Sequence, residues 1–244
     1  RFHRLALSLG CALGALLGSV PAAAQWHSAP SLPQSTSGLG ACADDAGSVF
    51  ALGGIVNQNQ TTNAAYMFDG TAWSTIPSLL TPKARPTVVW SNGFVYVVGG
   101  YNSGDTNTLS AMDRLDTTGD RSGWQWEQMS TASLPSPRHS AAGVVDSRGR
   151  IWVIGGADSA GAPTSTAFIF DPARPQLGWE IGPELNEARM FCGAAMDRDG
   201  RIYCIGGAIS GQHLSTAERF DPRQPQSGWE YVAEIPGQAP QVSL

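Results

Sequence analysis

The chain has few charged residues and almost no lysine. Only 14% of its 244 residues are Asp, Glu, Lys or Arg, and Lys83 is the single lysine, whereas typical soluble domains carry about 25% charged residues. With a net charge of −5, this composition argues against a protein that tracks nucleic-acid phosphates. The sequence also lacks a Gly-x-Ser-x-Gly motif and a phosphate-binding loop with lysine. Its 29 glycines and 16 prolines favour short strands joined by tight turns over a helical bundle.

Long hydrophobic runs are absent after residue 24. Before it, Arg1 and Arg4 precede an apolar run, Leu5–Val20, which is followed by small residues up to Ala24. A short apolar run with basic residues before it and small residues after it is typical of a secretory signal peptide rather than a membrane anchor. We therefore predict cleavage after Ala24 and a mature chain, 25–244, that is secreted or periplasmic and has no membrane span.

Cysteines are scarce, and three of them, Cys42, Cys192 and Cys204, remain in the mature chain. An odd number in an oxidising compartment leaves at least one thiol unpaired. Cys192 and Cys204 flank one predicted hairpin. Two alternatives stay open for them: a local disulfide, or two free thiols. With no Cys-x-x-Cys motif and no histidine at ligand spacing, the sequence predicts no metal site and no cofactor.

One block of residues occurs four times. It has the form Gly-x-(Val/Ile)-aromatic-x-aliphatic-Gly-Gly, and the second glycine of the doublet recurs at intervals of 46, 56 and 51 residues. The four doublets are Gly53-Gly54, Gly99-Gly100, Gly155-Gly156 and Gly206-Gly207. Near-equal spacing of this kind is the signature of a repeat architecture.

The rest of each period repeats as well. An apolar residue followed by aspartate comes after the doublet, and a tryptophan follows it. These tryptophans are Trp73, Trp124 (with Trp126 as the alternative), Trp179 and Trp229. An arginine closes three of the units, at Arg85, Arg138 and Arg189. The predicted units are 36–85, 86–138, 139–189 and 190–235.

Each unit is predicted to form four short strands. The second strand is the repeated block, and its continuous apolar run indicates burial on both faces. Sheets with two apolar faces are stable when they stack radially around an axis, and one large tryptophan per sheet adds to the buried area. The sequence therefore predicts an all-β propeller with four visible four-stranded blades.

The pattern resembles the kelch repeat, because the glycine doublet, the apolar-Asp pair and the spaced tryptophan recur in order. The resemblance covers Trp26 to Leu244. Phe50 stands where the other units have tyrosine or tryptophan, and unit one has no arginine before its first strand. The resemblance implies a kelch-type β-propeller but little about activity, since such repeats occur in scaffolds, glycan-processing enzymes and copper oxidases.

A further strand is predicted ahead of unit one. Trp26 followed by Leu32-Pro33 looks like the fourth strand of a preceding blade, yet the last unit already has its own tryptophan strand. We therefore expect a larger ring, with the chain incomplete beyond Leu244. The alternative is a complete four-bladed protein with one redundant strand.

The loops after the glycine doublets are polar and lightly charged, and they are expected to lie on one face with the starts of the first strands. Arg85, Arg138 and Arg189 would suit a carboxylate or sugar acid there, or would instead bond carbonyls and aspartates of the adjacent blade. The other candidates for ligand binding are Asn102, Asp158 and His213. No catalytic residue stands out, and the recurring aspartates are interpreted as turn-forming groups.

The sequence favours an exported, monomeric binding module for a protein or glycan, with no nucleic-acid partner. The alternative is a sugar-acid isomerase, resembling the exported kelch-type sialic-acid mutarotases. Whether the protein is an enzyme stays open, with the balance against it.

Overall fold

The computed structural model describes residues 28–104 and 107–232. In this part of the chain the structure consists of β-strands and four three-residue 3-10 turns, and none of these turns could cross a bilayer. The segment proposed as a signal peptide lies outside the described residues.

Four four-stranded antiparallel sheets follow one another along the chain, each a simple meander. We call them blades 1 to 4. The strands of blade 1 are Gly40–Ala43, Val49–Leu52, Ala65–Phe68 and Trp73–Thr75. Those of blade 2 are Thr87–Ser91, Phe94–Val98, Met112–Asp116 and Trp126–Gln128.

Blades 3 and 4 repeat the same plan. The strands of blade 3 are Ala142–Val145, Ile151–Ile154, Ala167–Phe170 and Trp179–Ile181. Those of blade 4 are Gly193–Met196, Ile202–Ile205, Ala217–Phe220 and Trp229–Val232. The first strands of successive blades contact one another, so the first strands are innermost and the blades form a β-propeller arrangement. Each blade falls within one of the predicted repeat units.

The core lies between the blades, as three separate hydrophobic clusters at the three junctions. We call the side of a blade that meets the preceding blade its leading face, and the other side its trailing face. In blade 3, Phe168 packs on the leading face against blade 2, while Trp152 and Ile169 pack on the trailing face against blade 4. Both faces of an inner blade are therefore buried, as the continuous apolar runs predicted.

The recurring tryptophans tie each blade to the one before it. The indole N–H of Trp126 donates to the carbonyl of Pro77 at 2.8 Å, and Trp179 donates to Ala132 at 2.7 Å. Trp126, and not Trp124, begins the fourth strand of blade 2 and makes this bond. The choice of Trp124 over Trp126 was therefore wrong. Both side chains are buried at the same junction, and their spacing in the sequence does not show which of them begins the strand.

The extra strand predicted ahead of blade 1 is not formed at residues 28–36, while Trp26 lies outside the described residues. The segment still makes the contact that a preceding blade makes elsewhere, because Trp73 donates its indole N–H to the carbonyl of Pro30 at 3.0 Å. One backbone carbonyl is enough for this contact, so no paired strand is required.

Two small hairpins were not predicted. They lie in the loops after the glycine doublets of blades 2 and 4. Tyr101–Asn102 pairs with Asn107–Thr108, and Ala208–Ile209 pairs with Gln212–His213. Two-residue strands carry too little periodicity to be recognised in sequence.

Candidate functional site

Four residues form a hydrogen-bonded arc around the axis of the blades, one just before each first strand. The backbone N–H of Arg85 donates to the carbonyl of Gly38 at 2.6 Å, Ser140 donates to Arg85 at 2.9 Å, and Phe191 donates to Ser140 at 2.9 Å. All four residues have left-handed backbone conformations, with φ between 52° and 60°. This conformation costs about 1–2 kcal/mol for a residue other than glycine. The arc therefore holds three strained residues together at the centre of the molecule.

Two side chains of this axial arc are exposed and lie against each other. The guanidinium carbon of Arg85 is 5.1 Å from the centre of the Phe191 ring, although blade 3 separates their blades in sequence. Phe191 is 52% exposed, which is unusual for a phenylalanine. A Cβ at Gly38 would approach the Cγ of Arg85 to 3.3 Å. The glycine thus leaves room for the arginine side chain to cross the axis.

A histidine borders the arc. The Nδ1 atom of His139 lies 2.9 Å from the hydroxyl of Ser140, and its ring meets Tyr101 edge-on at 6.0 Å. Burial lowers the pKa of His139, and the positive charge of Arg85 lowers it further, while Asp158 opposes both effects. The imidazole is therefore neutral at neutral pH. We call Arg85, Tyr101, His139, Ser140 and Phe191 the axial cluster.

The loops after the glycine doublets of blades 1 and 2 contact each other. The backbone N–H of Thr61 donates to the hydroxyl of Ser103 at 2.9 Å, and the N–H of Ser103 donates to the Thr61 hydroxyl at 3.2 Å. Asn102 is buried and accepts from Thr61 at 3.2 Å. These contacts fix the loops of blades 1 and 2 against each other.

Asp158 and His213 lie in the corresponding loops of blades 3 and 4. Asp158 accepts the backbone N–H groups of Ala160 and Ala162 at 2.8 and 2.9 Å, which shapes its own loop. His213 is exposed in the hairpin of blade 4. Their predicted contacts with a ligand stay predictions.

Arg189 is used within the fold. It is fully buried, pairs with Glu218 at 2.7 Å and donates to the carbonyls of Gly206 and Thr216 at 2.9 and 3.1 Å. These contacts match the alternative to ligand binding, in which the arginine bonds carbonyls and a carboxylate of the adjacent blade. A side chain enclosed in this way has no donor to offer a ligand.

The position of Arg85 in the sequence suggested that it is equivalent to Arg138 and Arg189. In the structure it is not. In each case the second glycine of a doublet donates its N–H to the carbonyl of the equivalent residue, and these residues are Lys83, Arg138 and Arg189, each at 2.8 Å. Lys83 is buried and pairs with Asp113 at 2.7 Å, just as Arg189 pairs with Glu218. Arg85 lies two residues further on, at the axis. It is the one member of the predicted set whose side chain is exposed there.

Arg138 departs from this scheme. Its guanidinium lies 5.2 Å from the centre of the Phe168 ring, where the other junctions have a carboxylate. It donates to Ser136 and to the carbonyl of Pro137, both at 2.9 Å, and its Nε finds no partner among the described residues. Burial lowers the pKa of Arg138. At the junction between blades 2 and 3, a cation–aromatic contact thus takes the place of the ion pair.

Sequence reasoning missed Phe191, Ser140 and Lys83. The signal for Lys83 was present, since it stands two residues before Arg85 in a unit of unequal length. For Phe191 and Ser140 the deciding fact is a backbone bond between blades, which no local pattern encodes.

The three cysteines among the described residues are thiols. The interaction between the Cys192 and Cys204 thiols lowers the pKa of Cys192 and raises that of Cys204. The structure thus brings the two partners together without a bond between them, and their disulfide stays a prediction. Burial raises the pKa of Cys42 to about 12. No three His, Cys, Asp or Glu side chains in the described part of the chain are grouped so as to hold a metal ion.

Comparison with known proteins places these repeats in a family. The Kelch motif family matches residues 198–234. Beta-scruin from Limulus polyphemus is 29% identical over 171 residues, which cover 65% of this chain and 18% of that protein. Kelch-like protein 35 from Mus musculus is 30% identical over 163 residues, which cover 66% of this chain and 25% of that protein. This chain is a kelch-repeat protein.

A viral relative matches more of the kelch chain. The Kelch repeat and BTB domain-containing protein 1 of Cowpox virus (strain Brighton Red) is 27% identical over 187 residues, covering 74% of this chain and 31% of the relative. The chain therefore spans less than a third of the length of each of these relatives.

Among solved structures, that of YjhT superposes with a TM-score of 0.67 at 15% sequence identity. The match covers 86% of this kelch chain and 69% of the other. At this identity the likeness supports the propeller fold and nothing finer.

Proposed function

We propose that this kelch protein is an exported protein-binding module and that the axial cluster is its recognition surface. The observation that carries this proposal is the exposed Arg85–Phe191 pair, held at the axis by the strained arc. Export rests on the sequence alone, through the predicted signal peptide at residues 1–24.

The chemistry of the cluster favours an acidic partner. Within the described residues, Arg85 has no carboxylate within 4 Å. Its planar donors suit a carboxylate, and exposed aromatic and arginine side chains are those enriched in binding hot spots. A peptide with an acidic side chain beside an apolar one fits both halves of the pair. A glycan with a carboxylate would use the same guanidinium.

Binding is tested with arrays of acidic and neutral peptides and, in parallel, an array of acidic and neutral glycans. The informative variant is Arg85→Gly, since glycine accepts the left-handed backbone that Arg85 adopts and the arc is kept. We expect acidic peptides to bind and the variant to weaken their binding by about tenfold or more, as for a lost charge-assisted contact. Arg174→Ala removes an exposed arginine of a distant turn and serves as the matched control, with binding unchanged. Acidic peptides that bind both variants equally well contradict the assignment of the site, and binding to acidic glycans alone moves the proposal to the glycan class.

The second candidate is a sugar-acid isomerase. The neutral His139 beside Arg85 favours it, because a neutral imidazole can accept a proton while the guanidinium holds a carboxylate. The test follows the exchange between the anomers of a sialic acid by NMR. An isomerase accelerates this exchange, and His139→Gln abolishes the acceleration. An unchanged rate with the unmodified protein rejects this candidate.

A further inference from the structure

Two charged groups from different blades act on His139. Arg85 precedes the first strand of blade 2, and Asp158 lies in the loop after the glycine doublet of blade 3. The guanidinium of Arg85 lowers the pKa of His139, while the carboxylate of Asp158 opposes this effect. A third titratable neighbour, Tyr101, meets the imidazole edge-on at 6.0 Å. The charge state of His139 therefore depends on what Arg85 and Asp158 are paired with.

Backbone hydrogen bonds hold His139 near both charges. The N–H of Ser140, the next residue, donates to the carbonyl of Arg85 at 2.9 Å. The N–H of His139 donates to the carbonyl of Ala157 at 3.1 Å, and Ala157 donates back to His139 at 2.8 Å. Because Ala157 directly precedes Asp158, the main chain fixes the histidine between the two loops that carry the charges.

Only one of these two charges is open to a ligand. The carboxylate of Asp158 accepts two backbone N–H groups of its own loop, which keep it in place. The side chain of Arg85 is exposed and, among residues 28–104 and 107–232, has no carboxylate within 4 Å. A ligand carboxylate that pairs with Arg85 would offset its positive charge and bring a negative charge towards the imidazole.

The remaining neighbours of His139 tolerate a change in its charge. Its Nδ1 atom lies 2.9 Å from the hydroxyl of Ser140, and a hydroxyl can accept from a charged imidazolium as well as donate to a neutral imidazole. Arg138, the preceding residue, directs its guanidinium at the ring of Phe168, 5.2 Å away in the junction between blades. The contact with Ser140 therefore exists in both charge states of the histidine.

We propose that the axial cluster takes up a proton together with an acidic partner, and that His139 carries this proton. This inference rests on the proposed function, since it requires a carboxylate bound at Arg85. The proton comes from the solvent and adds to whichever ring nitrogen is unprotonated in the neutral imidazole. Linkage makes the effect reciprocal, so a carboxylate that favours the charged histidine binds more tightly once the histidine is charged.

The direction of the pH effect follows from these charges. In the free protein the pKa of His139 lies below its ordinary value of 6.5, so the imidazole is neutral at about pH 8 and gains its charge as the pH falls towards about 5. A carboxylate bound at Arg85 raises the pKa of His139, because an opposite charge favours the charged form. The complex then holds more protons than the free protein, and affinity should rise about fivefold or more as the pH falls through this range.

Isothermal titration calorimetry over this pH range tests the proposal. The probe is the tightest-binding acidic peptide of the arrays, made with blocked ends, one carboxylate and no histidine or cysteine. If only acidic glycans bind, the tightest of them takes its place. We expect the affinity of the unmodified protein to rise as the pH falls. Binding heats in buffers of different ionisation enthalpy should also show net proton uptake, a readout that needs no variant.

Three variants locate the proton. His139→Gln should remove both the pH dependence and the proton uptake. Asp158→Asn keeps an oxygen acceptor for its loop but removes a charge that favours the protonated histidine, so the rise in affinity should move to lower pH. Asp171→Asn is the matched control, because Asp171 also accepts a backbone N–H of its own turn, between the third and fourth strands of blade 3. In this control the rise should stay where it is in the unmodified protein.

Affinity that is the same at every pH, or higher at high pH, overturns the proposal, and so does a pH dependence that persists in His139→Gln. Each of these results leaves the recognition surface of the proposed function in place. Failure of every acidic peptide and glycan to bind at any pH refutes the proposed function itself, and the inference falls with it. Circular dichroism checks that the variants are folded, and if His139→Gln is not, the shift in Asp158→Asn decides.

Discussion

The buried cations before the first strands take part in joining neighbouring blades. Lys83 and Arg189 each meet a carboxylate from the third strand of the following blade, Asp113 and Glu218. Both members of each pair are almost completely buried. A buried ion pair adds little compared with an apolar pair of the same shape, but the loss of one partner leaves an uncompensated charge.

Replacement of Glu218 by alanine should therefore destabilise the protein by about 3–5 kcal/mol, because Arg189 would keep only its longer, 3.3 Å contact with Glu187, and the backbone N–H groups of Asn186 and Glu187 would lose their acceptor. The change is measured as the free energy of unfolding in urea. The control is Arg174→Ala, which breaks an exposed pair with Asp171 and should cost less than about 1 kcal/mol. Equal losses in the two variants would show that Arg189 does not need Glu218.

At the scale of the strands and turns, the repeated apolar-Asp pair has a clear role. Asp171 and Asp221 accept the backbone N–H two residues later, from Ala173 and Arg223, both at 2.9 Å. The interpretation of these aspartates as turn-forming groups is confirmed. The side chain of Arg223 donates to Asp221, and this hydrogen bond lowers the pKa of Asp221 to about 2.

A pH dependence follows from this turn. Since the pKa of Asp221 is lower in the folded chain than its ordinary value of 3.8, its contribution to stability is present above pH 4 and is lost as the pH falls towards 2. In an NMR titration of the carboxyl carbon, Arg223→Gln should raise the midpoint of Asp221 towards 3.8. Arg148→Gln removes an exposed arginine of another turn and should leave that midpoint unchanged. If the midpoint of Asp221 does not move in Arg223→Gln, the backbone bonds alone hold the carboxylate ionised.

The strands themselves could be predicted well from sequence, and the site less well. The block from Gly149 to Gly156 has a tight turn before it, a buried apolar run and a glycine doublet after it, so each local signal agrees with the fold. Lys83 and Arg85 were confused because their roles depend on which carbonyl the preceding glycine doublet reaches. That contact joins residues about 30 positions apart, and no periodicity records it.

At the scale of the whole molecule, inner and outer blades differ in how well they are covered. The second strand of blade 3, Ile151–Ile154, is buried along its full length, while Ile202–Ile205 of blade 4 ends in a partly exposed isoleucine. Local opening is easiest where apolar contacts are fewest.

Hydrogen–deuterium exchange should show this difference. In dilute solution, the amides of Ile202–Ile205 should exchange faster than those of Ile151–Ile154, because among residues 28–104 and 107–232 only one face of blade 4 is packed. The measurement compares peptides covering the two strands by mass spectrometry. Similar protection of both strands in a dilute sample would mean that blade 4 is stabilised by something other than its contact with blade 3.

The axial arc is built from main-chain atoms alone, and this frees the side chains that it presents. The four equivalent positions hold glycine, arginine, serine and phenylalanine, four side chains with nothing in common, whereas the glycine doublets scarcely vary. New specificities could therefore be selected by randomising the exposed positions, Gly38, Arg85 and Phe191, together, with the hydrophobic interior left intact. The protein would then serve as a small display platform, in which loops from separate blades offer variable groups to one ligand.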